Sequence, residues 1–459
     1  MTARTRNPYL LLAAAAVLPY LNALRGAFQF DDYNVIVDNP AVQSWAAFLA
    51  DAGQGIRPVL KLSYTLNWLA GPGPAGFHLF NVAVHAANTL LVYLLALRLG
   101  GPKEDGPPDR PAAAAALLAA LLFAVHPVQT EAVTYVCGRS VSLMGFFYLA
   151  SLLAYDHGAR GGSRFFLWLV SPALFLLAVL TRETALTLPA ALALWETARG
   201  MKAGSWQDVA GRQAPHWILL GLLVLWLAAR PAAADLYLYG LTKRSVADNA
   251  LSQINGVTYL LSRLLFAHRL NIDPDLPVLI KWSPVLAAEA ALLASLLAIG
   301  VLTVRRRPRL GFGLLWTFLQ LLPTNSLIPR LDIANERHLY LAAWGLFLPV
   351  GEVLGTAWRT ETGGMKGTRV AVATALVAAA LLTVVRNHDY RSEVALWERT
   401  ALLSPGKPRV HNNLGYAYQL AGEPERAARA YEKALRLDPE SPKARANLAA
   451  LASAKKRNP

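Results

Sequence analysis

The stretch ALSQINGVTYLLSRLLFA, residues 250–267, decides the topology of this chain. Tyr259, Leu260, Leu261, Leu264, Leu265 and Phe266 make it apolar enough to cross a bilayer, whereas Asn255, Gly256 and Arg263 interrupt it. As a span it would push Arg305, Arg306, Arg307 and Arg309 to the outside, against the tendency of Lys and Arg to stay on the cytoplasmic side. As an interfacial helix it leaves that cluster inside. It then sits on the same side as Arg4 and Arg6, Lys103 and Arg110, Arg160 and Arg164, and Lys202 and Arg212. The second reading places the N-terminus inside and the C-terminal tail outside.

Around this segment apolar runs recur down to residue 386 and then stop. They cover 8–24, 77–99, 111–125, 140–155, 165–181, 184–198, 215–229, 284–304, 310–323, 338–357 and 369–386, giving about eleven candidate transmembrane helices. The first resembles a signal peptide, but Pro19, Tyr20 and Asn22 spoil a small-residue cleavage site, so it reads as a retained helix. Of the 459 residues 55% are hydrophobic and 16% charged, which fits an all-α polytopic membrane protein and argues against a disordered chain or an ordinary soluble enzyme. The net charge of +15 belongs to inward loops and anionic headgroups, so no nucleic-acid partner is expected and the bilayer is. Cys137 is the single cysteine and makes no internal disulfide.

In this topology the outward loops are the long ones: 25–76, 126–139, 230–283 and 324–337. The inward loops are short and basic, so a working site is expected on the extracytoplasmic face. From His388 the chain changes character. Leu414, Gly415, Tyr418, Ala427, Tyr431, Ala434 and Pro439 carry the spacing of a tetratricopeptide repeat, a helical hairpin of 34 residues. The period extends to both sides, through Trp397 and Tyr431, Pro405 and Pro439, Leu414 and Leu448, and Asn413 and Asn447. The division is a transmembrane domain over 1–386 and a tail over 387–459, with a full repeat at about 408–441 between two half repeats. One repeat is short for a free solenoid, so the tail should lean on the membrane domain or on a partner, and such surfaces bind peptides or proteins.

The first outward loop brings Asp31 and Asp32 together between Phe30 and Tyr33. Paired carboxylates among aromatics raise one pKa and suit a group that takes a proton from a hydroxyl; the plainer reading is a helix cap. The other outward segments present cations: Arg57, His126, Arg139, Arg182 beside Glu183, and Arg337 between Glu336 and His338. Several converging cations suit a phosphate, although a single arginine at a membrane surface also snorkels. Glu131, Glu183 and Glu336 are expected to orient these arginines.

The chain resembles the transmembrane and tetratricopeptide-repeat proteins that are protein O-mannosyltransferases, members of the membrane glycosyltransferases of the GT-C fold. The resemblance rests on Asp31-Asp32 followed by Asn39-Pro40 and Arg57-Pro58, and on Phe80-Asn81 to His85. It continues through Leu122-Phe123-Ala124-Val125-His126-Pro127, Thr130-Glu131-Ala132-Val133 and Gly138-Arg139, then Arg182-Glu183, Pro323 to Asn325, and Glu336-Arg337 to Leu339-Tyr340. It implies transfer of mannose or a similar sugar from a polyprenyl-phosphate donor to Ser or Thr hydroxyls of proteins on the extracytoplasmic face. An Asp of loop 25–76 would be the base, and fixed cations would meet the departing phosphate. The short repeat array and the Ala- and Arg-rich composition depart from the eukaryotic members and hint at a bacterial inner membrane.

Other classes stay open: a transferase with a lipid or glycan acceptor, a secondary transporter with charges at mid-membrane, and a non-catalytic scaffold that holds a partner through the repeat. No Gly-rich nucleotide loop is visible, so the donor is expected to be lipid-linked. Asp31, Asp32 and Glu183 are too few and too dispersed to assert a divalent metal.

Overall fold

A computed structural model describes residues 7–55, 57–100, 110–201, 206–230, 235, 238, 240–326, 328–357 and 365–457. Among the described residues there is no strand. Many of the prolines open helices, where the missing N–H costs nothing, while Pro215 and Pro349 lie inside helices. Pro8 starts α1 (Pro8–Val17), which tightens into 3₁₀ turns over Leu18–Arg25. Within the 25–76 loop lie α2 (Trp45–Asp51) and α3 (Pro58–Ala70), the second again opened by proline. The long α4 (Pro74–Gly100) and α5 (Arg110–Val125) follow, and a bend of 52° carries α5 into Pro127–Val133, which ends in α6 (Thr130–Val133).

Next come α7 (Arg139–Gly161), α8 (Ser171–Thr181), α9 (Leu188–Arg199), α10 (Trp206–Ala228) and α11 (Val246–Arg263). Gly162 and Gly200, at φ 67° and 57°, close α7 and α9 in the left-handed conformation that costs glycine least. The bundle is completed by α12 (Pro284–Thr303), α13 (Pro308–Leu321), α14 (Leu339–Ala357) and α15 (Met365–Asp389). The tail consists of α16 (Glu393–Leu403), α17 (Pro408–Leu420), α18 (Pro424–Leu437) and α19 (Pro442–Arg457).

Small residues set how closely the central helices approach. A Cβ on Gly313 of α13 would stand 2.1 Å from the carbonyl oxygen of Gly345 in α14, and one on Gly351 would stand 2.5 Å from that of Ala115 in α5. Larger side chains at either place would part the helices. Beside these contacts Trp316 and Trp344 pack edge to face with centroids 4.8 Å apart. At the other end of α7, Asp156 is sealed between Arg98 at 2.8 Å and Arg199 at 3.7 Å, with the Trp195 indole donating to it. Of the basic groups expected inside, Arg4, Arg6, Lys103, Lys202 and the Arg110 side chain lie outside the described residues.

Each of the eleven apolar runs falls on helix, but the count of about eleven spans is not met. Six helices are long and apolar enough to cross a membrane, or seven if the bent 111–133 pair is one span. The shortfall is one of length and polarity. Phe166–Thr181 is a shorter apolar helix, α13 has 14 residues and α9 has 12, while α10 carries Asp208, Arg212 and Gln213 at its start. The deciding segment is the helix α11, which is not among the six. Its buried face is polar: Asn249 donates to Ser326 O at 2.7 Å and Gln253 to Ile333 O at 3.1 Å. Buried amides of this kind are satisfied by a protein loop and not by lipid.

The tail leans on the membrane domain. Asp273, buried in the 264–283 loop, takes ion pairs from Lys407 at 2.6 Å and from Arg409, which also reaches Asp332 at 2.6 Å. Ser404 Oγ accepts from Asn271 and donates to Asp273 O, so the turn before α17 is tied to that loop by uncharged bonds as well.

Candidate functional site

The site begins at a strained turn. Phe30 has φ 50°, the one positive value on a non-glycine residue among those described, a conformation costing about 1–3 kcal/mol. Contacts from far along the chain hold it there. The Phe30 N–H donates to Glu393, the Phe30 ring meets Trp397 edge to face at 5.2 Å, and the neighbouring Gln29 amide donates to Tyr390 O.

The turn sends the two adjacent carboxylates in different directions. Asp32, 1% exposed, accepts from Gln29 N at 3.0 Å and from Cys137 N at 2.8 Å, so it ties the 25–76 loop to the start of α7. Burial pushes its carboxyl up to about 7 against the pull of these donors. Asp31 instead lines a cavity of about 150 Å³ with Glu131, Tyr135, Asp332, Asn335 and Arg337. Its own N–H donates to Tyr135 Oη at 3.1 Å. Burial raises its pKa, and the Arg337 guanidinium only partly opposes that. Trp397 and Arg409 of the tail complete the wall, together with Ile272 and Asp273. Every one of the four loops expected to face outward thus contributes to this cavity, and the tail adds to its wall.

Arg337 joins the cavity to a second group of charges. Its N–H donates to Glu131 Oε2 at 3.0 Å, while its Nε stays 3.8 Å from Glu131 Oε1 and finds no hydrogen-bond partner among the described residues. Arg182, Arg57 and Arg330 lie close enough to Arg337 and to one another for their charges to interact, and His338 feels Arg182, Arg330 and Arg337. Arg57 and Glu183 form a two-pronged pair at 2.9 and 2.7 Å, and burial of Glu183 is outweighed by Arg57 and Arg182, which hold its carboxyl below the usual range. Arg182 is poorly compensated. It donates to Ser140 Oγ at 2.8 Å, and burial and then the neighbouring Arg57 pull its pKa well down. Arg57 is matched by Glu183, and Arg337 faces Glu131 and Asp31, so the least compensated positive charge lies at Arg182 and Arg330, where an anion would relieve it.

Two expected members of the phosphate site do not join it. Arg139 is fully buried, and its guanidinium donates to Asn81 Oδ1 at 2.7 Å, Ser63 O at 3.0 Å and Phe77 O at 3.1 Å. Tyr64, Phe77 and Phe80 stack around it at 4.9, 5.2 and 4.3 Å. Its donors are consumed in fastening α3 and α4 to α7. His126 is likewise committed: Nδ1 accepts from Val128 N at 3.2 Å and Nε2 faces Leu264 O at 3.1 Å. Glu336 orients no arginine through a direct bond; it accepts from Asn271 N at 2.8 Å and Tyr259 Oη at 3.3 Å, fixing the 264–283 loop. His338 is held by Asn325 Oδ1 at 3.2 Å.

Sequence reasoning missed Tyr135, Arg330, Asp332, Trp397 and Arg409. Arg330 follows Pro329 in the same 324–337 loop as Arg337, and that placement was the available signal. Among the described residues no group of three or more His, Cys, Asp or Glu side chains is placed to hold a metal ion.

An all-helical bundle with several membrane-length apolar helices and a docked helical-repeat tail defines a multi-pass membrane protein. Residues 408–441 match the tetratricopeptide repeat. A protein O-mannosyl-transferase of Caenorhabditis elegans is 25% identical over 94% of this chain and 62% of its own length. Protein O-mannosyl-transferase TMTC4 of Mus musculus is 25% identical over 88% of this chain and 63% of its own. TMTC1 of the same animal reaches 37%, over 39% of this chain and 20% of its own. The chain is therefore a relative of these transmembrane and tetratricopeptide-repeat proteins, as its motifs lead one to expect. It spans about three-fifths of the length of the first two.

Proposed function

We propose that the protein is a membrane glycosyltransferase that moves mannose, or a similar sugar, from a polyprenyl-phosphate donor to Ser or Thr hydroxyls of proteins. The observation that carries this reading is that Asp31 and Arg337 line one cavity and that Arg337 is near enough to Arg57, Arg182 and Arg330 for their charges to interact. The names of the relatives support the reaction class and the sugar.

In this reading the acceptor hydroxyl enters the cavity and gives its proton to an Asp31 oxygen as its own oxygen attacks the anomeric carbon. The bond from that carbon to the donor phosphate breaks, and the phosphate leaves with the electron pair. Arg337 stands between base and phosphate, with Arg182 and Arg330 behind it, so positive charge is fixed where negative charge develops. Burial helps twice: it makes Asp31 a stronger base than an exposed aspartate, and it strengthens the arginine contacts. Asp32 does not react; it holds the turn that aims Asp31.

The catalytic face and the tail are on the extracytoplasmic side. The convergence of all four expected outward loops supports that orientation, and the Ala- and Arg-rich composition supports a bacterial inner membrane. The decisive assay is transfer from synthetic polyprenyl-phosphate mannose to a Ser/Thr peptide by purified protein in nanodiscs. Product with a hexose on Ser or Thr is expected. A wild type that binds the donor yet transfers to no peptide would overturn the reading, and one that glycosylates a lipid instead would redirect it.

A further inference from the structure

Between Tyr259 and Asn271 the chain dips along a membrane span and returns. Both of these residues bond to Glu336 at the mouth of the span that contains α14, Tyr259 Oη at 3.3 Å and the Asn271 N–H at 2.8 Å. Between them Leu264 O meets His126 Nε2 at 3.1 Å, and the His126 ring packs on Phe347 with centroids 5.2 Å apart. At 1.5 Å per residue Phe347 lies about 16 Å along that span from Glu336. The tip of the dip is Leu265 and Phe266, which are 81% and 50% exposed. Large apolar side chains exposed at the depth of a spanning helix meet hydrocarbon and not water.

Cations flank the tip on both sides. Arg263 Nη1 donates to Arg269 O at 3.1 Å and closes the neck of the dip, and Arg399 of the tail donates to His268 O at 3.0 Å. None of Arg263, Arg269 and Arg399 makes an ion pair among the described residues, and the Arg269 side chain makes no hydrogen bond among them either. Arg263 and Arg269 line a cavity of about 590 Å³ at the seam between this loop and the tail, in which Asp275 is the single carboxylate and Leu276 and Leu402 are apolar. In the orientation proposed above these arginines lie on the outer side, where the tendency of cations to stay inside does not account for them.

We infer that this seam is a binding site for one anionic phospholipid, with its phosphate between Arg263 and Arg269 and its acyl chains against Leu265 and Phe266. Charge and depth select that occupant together. Two guanidiniums against one carboxylate call for an anion, and they suit the oxygens of a phosphate. A soluble anion would satisfy the arginines and leave the tip bare, whereas a lipid covers both. The sugar donor is a poorer fit, because neither Asp31 nor any of Arg57, Arg182, Arg330 and Arg337 lines this cavity. The site is thus separate from the proposed transfer and does not depend on it. Because Leu402 belongs to α16, a lipid held here touches the membrane loop and the tail at once, beside the bond from Asn271 to Ser404.

The test uses the full chain, stripped of lipid in detergent and titrated with phosphatidylglycerol or with phosphatidylcholine of the same chains, with bound lipids counted by native mass spectrometry. Arg269 is exposed and holds nothing in place, so R269Q should keep the fold and the melting temperature. An arginine near a membrane surface changes the affinity for anionic lipid about fivefold. R269Q should therefore bind one phosphatidylglycerol about fivefold more weakly than wild type, and R263Q/R269Q about thirtyfold more weakly, with phosphatidylcholine little changed. L265Q at the tip should weaken both lipids alike. Equal binding of phosphatidylglycerol by wild type and R269Q overturns the inference. So does its displacement from wild type by inorganic phosphate at equal concentration, which would make the ligand a soluble anion, or by equimolar polyprenyl-phosphate mannose, which would give the site to the donor.

Discussion

Replacing Asp31 by Asn removes the proton acceptor from the cavity while leaving its shape. The backbone N–H of residue 31 still donates to Tyr135 Oη, and the turn is held by Asp32, Glu393 and Trp397, none of which is touched. Stability should therefore stay within about 0.5 kcal/mol of wild type. A positioned general base contributes about 10² to 10⁴ in rate. At about 1.36 kcal/mol per tenfold, the barrier should rise by about 2.7–5.4 kcal/mol. Donor binding should be equal or slightly tighter, because a negative charge beside Arg337 has gone. The assay is single-turnover transfer from polyprenyl-phosphate mannose to a Thr peptide, with donor affinity measured in parallel. Wild-type transfer by D31N would remove the base assignment. Loss of donor binding together with transfer would make Asp31 a structural group and refute the reasoning from its cavity.

D32N should behave differently: one of its two backbone donors, Gln29 N or Cys137 N, would face an amide N–H, costing about 1–3 kcal/mol in a thermal melt along with reduced transfer. R182K and R337K should each lower donor affinity or turnover by about ten- to a hundredfold, since Lys lacks the planar fork, whereas R139K should lower the melting temperature without selectively weakening the donor. Transfer should fall as pH drops through the raised pKa of Asp31, because the base must be ionised, and the residual activity of D31N should lack that acid limb. For the orientation, S441C in a C137S background should react with an impermeant maleimide in intact cells; labelling only after permeabilisation would put the tail inside.

Much of this architecture is legible in the sequence because it depends on periodicity. Apolar runs report helices whatever their neighbours, and the spacing of Leu414, Gly415, Tyr418 and Tyr431 reports the hairpin: the Tyr431 ring sits where a Cβ on Gly415 would be 2.6 Å from it. The number of spans is less legible, since composition does not reveal where a run is cut by a 3₁₀ or π turn, as at Phe166–Val170 and Glu183–Thr187. For the candidate site, the sequence places charges in loops that the fold brings together, without showing which way they turn. Arg139 and Arg182 look alike on paper, each beside a motif residue at the end of an apolar run. The carbonyls of Ser63 and Phe77 claim the first, and they lie 76 and 62 residues away, a relation no local pattern carries. Trp397 reads as a core residue of the repeat, which it is; that its other edge meets Phe30 follows only from docking.

The docking explains how a tail with one full repeat can be both stable and useful. A repeat array of this size buries too little of its own surface to stand alone, and here the deficit is made up by Asp273, Lys407, Arg409 and Asp332 and by the contacts around Phe30. Those last contacts carry a second consequence. The strained φ of Phe30 persists only while Glu393 and Trp397, 363 residues or more along the chain, hold it. Relaxing it would swing Asp31 away from Arg337 and strip Asp32 of its donor at Gln29 N. In the proposed mechanism the base is therefore aimed only when the tail is seated. In this fold the repeat supplies Trp397 and Arg409 to the wall of the Asp31 cavity, so on the proposed function it is more than an appended recognition module.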